Sequence, residues 1–513
     1  MDSLPINKYV ATAVVASLLY VGICRRRTSK VYPPGPPADL IIGHARVFPL
    51  EYFHTVFADW GKKFGNIIYV HILGRPIVII NSLDVARELL EKRGVNYSDR
   101  PTSTLYDMMN WSRAIFCLPY GDRWRPLRRM IAEKFTPTAV KTFFPVIETE
   151  VNDFLRRFES DPLGYKTNMH RLFSSMTINL VYGYRVTTDN DPYVASIEHA
   201  AYLTAKYTPG AVPVDFLPIL RFLPAWFPGA GFVSHAKETD VLIQGLCDEL
   251  NGIVTKQRTA GTAAPSLMAQ WQEDYENSEL PGVSYEDLKL TGFCTYVAGV
   301  ETTESTLLTF FIMIIHHPEV AKAAQIELDA FIAEEGRLPS LQDRPRLPYI
   351  DCILKETFRA SSPAPMSIPH VSQNDDEYEG MFIPGGSMIM SNIWYGNMMN
   401  DESVYPSPSD FNPERFIQKD GDAPILDPTD VVFGFGRRIC PGRHFADSAL
   451  WLAIASVLSV YDILPPIHPK TGKEVLPKIE FTSAVTIHPK PFDCRVIPRS
   501  AKHLALLHGA GDL

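Results

Sequence analysis

The sequence predicts a mainly α-helical protein with small β-sheets, preceded by a single N-terminal transmembrane helix. Helical patterning covers most of the chain, and one stretch, Ser284 to His316, is long enough to cross a whole domain. Runs rich in β-branched residues are few and short. Close to the start, the uncharged run Tyr9 to Cys24 is followed at once by Arg25, Arg26 and Arg27.

At 513 residues and 46% hydrophobic, the chain can bury a large core. No Gly/Ser-rich linker or charge run divides it. The expected organisation is a signal anchor with its basic stop over 1–30, a stiff Pro-rich linker over 31–40, one domain over 41–500 and a tail over 501–513. A net charge of −9 argues against nucleic acid as partner. The seven cysteines are scattered and odd in number, the pattern of a reducing compartment. Tyr9–Cys24 is short for a span, but basic residues after it and no clear cleavage site favour an anchor over a cleaved signal peptide. The bulk of the chain is then expected in the cytosol.

Glu51 to Tyr69 reads as helical. Ile67–Leu73 and Pro76–Ile80, split by Gly74-Arg75, read as a hairpin. A further helix opens at Asp84, and Arg100 to Gly121 is an irregular candidate binding loop. Asp122 to Lys134 puts Trp124 and Arg128 on one helical face, flanked by Arg123, Arg125 and Arg129. Alone, such a cluster reads as a solvated helix face. Thr138 to Gly261 is mostly helical but broken by the proline-rich, greasy stretch Thr208 to Phe232. That stretch is a ligand entrance, a membrane-touching surface or a buried connection.

Ser284-x-x-Asp287 is patterned as a capping box for the long helix, and Pro318 ends it. AGVETTEST, Ala298 to Thr306, interrupts its apolar middle. Polar groups there are costly unless paired. Ala298 and Gly299 are expected to clear space beside Glu301 and Thr302 for a small reactant; the other reading is a kink from Ser/Thr back-bonding. Glu356 and Arg359 at i, i+3 on the helix Leu347 to Ala360 form an ordinary pair in isolation. Short strands are expected at Tyr378–Pro384 and Ser387–Asn392, and a hairpin over Lys478 to Ile497.

The stretch Phe433 to Gly442, FGFGRRICPG, places Cys440 among glycines that permit tight turning, before an apolar helix from Arg443. Arg437, Arg438, Arg443 and the helix N-terminus are expected to lower the thiol pKa towards thiolate.

Together these motifs resemble the cytochrome P-450 family of heme-thiolate monooxygenases, from the PPGPP segment to the C-terminal region. Phe433-x-x-Gly436-x-Arg438-x-Cys440-x-Gly442 matches its heme-binding loop, and Ala298-Gly299-Val300-Glu301-Thr302-Thr303 its oxygen-activating helix. Glu356-Thr357-Phe358-Arg359, Pro413-Glu414-Arg415-Phe416 and Trp124-x-x-x-Arg128 follow the family pattern in order. The resemblance implies the cytochrome P-450 fold and heme, with Cys440 as proximal iron ligand. It implies that Trp124, Arg128, His370 and Arg438 hold heme propionates, that Phe433 packs near the sulfur, and that Glu356, Arg359 and Arg415 form a buried ion triad. Thr302 and Glu301 would organise protons for bound dioxygen. Glu304, where relatives often have a small residue, would be a second acid on that path or, in the favoured reading, pair with a polar group away from the heme.

The implied reaction puts one oxygen atom of dioxygen into a C–H or double bond. NADPH supplies the electrons through a separate NADPH–cytochrome P-450 reductase, because the chain has no dinucleotide fingerprint; cytochrome b5 is a candidate second donor. Arg123, Arg125, Arg129, Arg437 and Arg443 are the expected docking face. The wording around IPHVSQNDDEYEG resembles fungal secondary-metabolism members of the endoplasmic reticulum type, although the segment after Trp394 is longer than usual. Substrate-contacting stretches, at 100–119, 204–232, 296–301, 363–368 and 482–485, are mostly apolar, so a hydrophobic terpenoid or polyketide scaffold is expected. The alternatives are a same-fold enzyme performing desaturation, isomerisation or peroxide-driven oxidation, against which the Glu301–Thr302 pair counts, and a non-enzymatic heme sensor, which would need neither the basic surface nor the polar-interrupted long helix.

Overall fold

The structure, a computed structural model, describes residues 30–207, 212–393, 398–418, 421 and 425–509. Its longer helices are α1 (Phe53–Phe64), α2 (Trp124–Lys134), α3 (Phe144–Ser160), α4 (Tyr165–Tyr182), α5 (Pro192–Lys206), α6 (Gly231–Thr259), α7 (Leu267–Glu276), α8 (Tyr285–His316), α9 (Pro318–Glu335), α10 (Pro348–Ala360) and α11 (Arg443–Val460). The strands are β1 (Ile67–Ile72), β2 (Arg75–Ile80), β3 (His370–Val371), β4 (Asp376–Tyr378), β5 (Met381–Ile383), β6 (Met388–Ser391), β7 (Tyr461–Leu464) and β8 (Arg495–Pro498).

Helix α8 is the axis. Its 32 residues span about 48 Å. It packs against α4, α6, α7, α10 and α11, so it is covered on nearly every side. The Ser284 side chain accepts from the Asp287 N–H, which satisfies one free donor of the first turn. The expected capping box is only half closed, because the Asp287 carboxylate binds Arg123 and Arg113 instead. Gly299 also differs from expectation. A Cβ there would meet Thr177 Cγ2 of α4 at 3.2 Å, so this glycine serves close helix packing, and Ala298 alone is on the open side.

The main sheet runs β1-β2-β6-β3, with β2 and β6 parallel and the other pairs antiparallel. The β1–β2 hairpin turns at Leu73 and Gly74, both at positive φ (48° and 80°), as a two-residue turn matched to strand twist requires. Helix α1 ends at Phe64, so the helical reading to Tyr69 ran into a strand. The hairpin expected over Lys478 to Ile497 is found only between Glu480 and Lys490, where Thr482 N donates to His488 O and Lys490 N to Glu480 O around the bridge Phe481–Pro489; the end of the stretch is corrected, because β8 pairs with β7. Alternation marks a strand but does not name its partner. The turn at Thr482–His488 is held to the core, where Ser305 Oγ of α8 donates to Ile487 O and Ile487 N donates to Pro363 O.

The anchor expected before residue 30 lies outside the described residues. The one described helix long and apolar enough to cross a membrane is α8, and it is buried in the domain. The Pro-rich segment lies against the sheet: Tyr69 N donates to Pro34 O, and Tyr32 packs on Tyr69 at 4.6 Å. Residues 501–509, expected as a tail, form a helix tied to α3 by Arg156 Nη2 donating to Leu507 O.

Candidate active site

The cysteine loop is a folded turn between Val432 and α11. Cys440 N donates to Phe433 O at 2.8 Å, closing the loop, and Phe433 stacks edge-on against Phe358 of α10. Gly436 sits at φ 58°, and a Cβ there would come within 2.1 Å of Leu90 O, so no other residue fits. Helix α11 begins three residues after Cys440, with the Gly442 and Arg443 N–H groups facing its sulfur. The expected lowering of the thiol is reversed in the protein alone: burial pushes its pKa up, against the Gly442 N–H and the Arg128 and Arg443 charges. Stable thiolate here calls for a cation bound directly to the sulfur.

In the middle of α8, Ala298 and Glu301 are exposed and Thr302 half-buried, whereas Val300 and residues 303–315 are buried. These three positions, i, i+3 and i+4, make one accessible stripe on a covered helix. Thr302 Oγ1 donates to Ala298 O at 2.8 Å, which leaves its lone pairs to accept. Thr303, Thr306 and Thr309 back-bond in the same way, so back-bonding and an open polar face coexist.

Three arginines gather on the loop side. Arg438 lies 4.3 Å over the Trp124 ring and donates to Ser98 O and Leu118 O. Arg128 donates to Ile439 O. Arg100 donates to Phe116 O, Ile368 O and Pro369 O. Burial and the neighbouring Arg438 charge pull Arg100 down to about 9, and burial takes Arg438 to about 10, Asp99 opposing and Arg128 adding to the fall. His370 is neutral. Burial and the Arg100 charge depress it to about 3, and its Nδ1–H goes to Tyr97 O at 2.7 Å. Arg100, which motif spacing did not single out, brings a further guanidinium beside His370.

This cluster tests the heme that the motifs imply. Among the described residues, the guanidinium groups of Arg100, Arg128 and Arg438 donate only to main-chain carbonyls. The one nearby carboxylate, Asp99, is bonded to the main-chain N–H groups of Arg100 and Tyr120, so the cations outnumber it; such an excess of sheltered charge is costly, and a ligand bringing two carboxylates would satisfy it through charge-assisted bonds. Such a ligand, with a metal for Cys440, fits these residues.

Glu356, Arg359 and Arg415 also come together. Arg359 grips Glu356 at 2.7 and 2.8 Å, and Arg415 Nε donates to it at 3.1 Å, with all three side chains at most 5% exposed. Arg359 further donates to Met399 O and Asp410 O, linking α10 to the loop before Cys440. Glu304 turns away from the open stripe to His170 of α4 at 2.8 Å. That contact joins residues 134 positions apart, and neither His170 nor its second partner Glu198 carried a motif.

The Cytochrome P450 family model matches residues 33–496. A cytochrome P450 monooxygenase of the fungus Postia placenta, numbered 136, is 36% identical, with 98% of this chain and 96% of the relative covered. Cytochrome P450 monooxygenase COX2 of Coprinopsis cinerea is 34% identical over 99% and 97%. Among solved structures, a zebra fish cytochrome P450 with abiraterone superposes with a TM-score of 0.70 at 22% identity, over 87% of this chain and all of that one.

Proposed function

This chain belongs to the cytochrome P450 family and is a monooxygenase; on that footing we propose that it oxygenates an apolar small molecule, with electrons passed from NADPH by a separate reductase. The net reaction consumes the substrate, dioxygen, NADPH and one proton, and yields the oxygenated substrate, water and NADP⁺. The observation that carries the reading is the accessible stripe Ala298, Glu301 and Thr302 on a helix otherwise covered.

Bound heme with a cysteine thiolate supplies the iron chemistry that cleaves dioxygen. The chain's own residues bind, orient and feed that centre. Cys440 would be the iron ligand. Arg438, Arg128 and Arg100 would hold the propionates, with Trp124 stacked beneath Arg438 to fix its fork. Thr302 would accept a hydrogen bond from a water on the open face and hold it for proton transfer, with Glu301 as adjacent acid. Phe433 would shield the sulfur side from water.

Half-buried Val297 and Pro363, exposed Ala484 and Val485, and the greasy stretch before α6 would receive a hydrophobic substrate such as a terpenoid or polyketide scaffold. Exposed Leu40, Ile41, Leu73, Phe222 and Trp226 support a membrane-facing side. Ile42 O bonds Leu73 N, and Arg75 reaches Asp215 O, so these segments adjoin one another. A chain held at the cytosolic face of the endoplasmic reticulum should stay in membranes washed at high salt; release into the supernatant would remove that localisation.

The deciding experiment is the carbon monoxide difference spectrum of the reduced, full-length protein. An absorption band at about 450 nm supports the thiolate site, and a band at about 420 nm alone from folded protein would sink it. Thr302→Ala should keep that band while product formed per NADPH oxidised drops by about tenfold; unchanged coupling would remove Thr302 from its role.

A further inference from the structure

The stripe on α8 must receive protons in every turnover, yet the helix around it is covered. Glu304, one turn beyond Glu301, opens the way outward. Its Oε2 accepts from Nδ1–H of His170 at 2.8 Å. Nε2–H of His170 donates to Oε1 of Glu198 on α5 at 2.5 Å, with Ser174 Oγ 3.2 Å from the same nitrogen. Side-chain exposure climbs along this row, 9% at Glu304, 33% at His170 and 47% at Glu198, so it runs from core to solvent. His488 is carried by the turn whose neighbouring residue Ile487 accepts from Ser305 Oγ of α8 and donates to Pro363 O. It lies within charge range of both Glu304 and Glu301, with Lys166 and His170 as the opposing cations.

We propose that Glu198, His170, Glu304 and His488 form a proton-entry route from bulk water to Glu301 and Thr302. It rests on the reading of that pair as the proton-handling site.

Both ring nitrogens of His170 face carboxylates, so both carry hydrogen. Burial alone would lower its pKa, but the hydrogen bonds and charges of Glu198 and Glu304 outweigh that and raise it to about 10. A charged imidazolium therefore waits in hydrogen-bond contact with Glu304, itself one turn of α8 from Glu301. When Glu301 has given up its proton, His170 passes its Nδ1 proton to Glu304, and the bare nitrogen remains. Glu304 hands the proton on through His488, which burial keeps neutral and able both to take and to give one. The His170 ring then rotates so that its bare nitrogen faces Glu198, which supplies the next proton from water. Only protons move along this row; the electrons arrive through the reductase.

The test uses the full-length holoprotein with its reductase and 7-ethoxycoumarin as probe. His170→Gln and Glu304→Gln should each cut product per NADPH oxidised by about fivefold, raise hydrogen peroxide release and enlarge the solvent deuterium isotope effect. Hydrogen peroxide brings oxygen and protons together, so product formed with peroxide in place of NADPH should fall by less than about twofold. Glu304→Asp, which restores the acid, should recover part of the coupling. A readout apart from turnover is the ¹⁵N spectrum of histidine-labelled protein, where one imidazolium should persist at neutral pH and vanish in His170→Gln. A neutral His170, equal losses with peroxide and with NADPH, or loss of the 450 nm band in these variants would overturn the route and leave a structural pair. If Thr302→Ala uncouples while His170→Gln and Glu304→Gln do not, the route alone fails. If Thr302→Ala does not uncouple either, the underlying reading of the stripe fails with it.

Discussion

Two groups of buried and half-buried arginines stand out among the described residues, and they differ in where their negative charge comes from. Arg359 and Arg415 converge on Glu356 of the same chain. The guanidinium groups of Arg100, Arg128 and Arg438 donate to main-chain carbonyls; the Arg438 charge depresses Arg100, and the Arg128 charge depresses Arg438. A cluster that carries its own counter-ion is finished when the chain folds. A cluster whose cations outnumber the one nearby carboxylate, Asp99, is finished only by a ligand. The first group ties α10 to the loop before Cys440, and the second waits beside that cysteine, so one braces what the other binds.

The sharpest way to break this comparison is to remove the internal anion. Glu356→Gln keeps the shape but leaves Arg359 and Arg415 buried without charge compensation, a loss of about 3–5 kcal/mol. Apoprotein and holoprotein should both suffer, seen as a shifted denaturation midpoint with and without heme. Destabilisation confined to the holoprotein would mean that the triad belongs to the binding site after all.

The second test sits on the open cluster. Arg438→Lys keeps a charge but loses the planar fork and its stacking on Trp124. Heme should leave about tenfold faster, measured by transfer to apomyoglobin, while apoprotein stability shifts by about 1 kcal/mol or less. An equal shift in apoprotein and holoprotein would erase the distinction between the two clusters.

How each cluster could be read from sequence follows the same division. Glu356 and Arg359 share one turn of helix, and the spacing of Gly436, Arg438 and Cys440 lies within one loop, so local patterns display them. Ala298, Glu301 and Thr302 were likewise legible, because polar residues at helical spacing in an apolar run stand out. Arg100 meets Pro369 across 269 positions, and His170 meets Glu304 across 134, and no periodicity reports a contact between distant elements. The surroundings of His370 were hidden in the same way: burial and the distant Arg100 and Arg438 depress its pKa, and no local pattern announces that company. Gly299 was misread for a similar reason, since its missing side chain makes room for α4 and not for a reactant.

A third set of arginines, on the surface, sets the lower bound of the comparison. Arg125 pairs with fully exposed Asp122, and Arg437 donates to the Tyr120 hydroxyl while lying 5.5 Å from its ring. With Arg129 they leave positive charge on the cysteine-loop side of the molecule. Arg123, expected among them, is partly spent on Asp287, and Arg443 is half-buried against Cys440 O. Water screens the exposed set, so Arg437→Glu should alter folding stability by less than about 0.5 kcal/mol. Its effect should fall on encounter with the reductase, slowing electron transfer about threefold at low salt and fading as ionic strength rises. Stopped-flow reduction across a salt series measures it. A rate that ignores both the charge reversal and the salt would move the docking face elsewhere, and a slowing that persists at high salt would place Arg437 with the buried arginines it is here contrasted with.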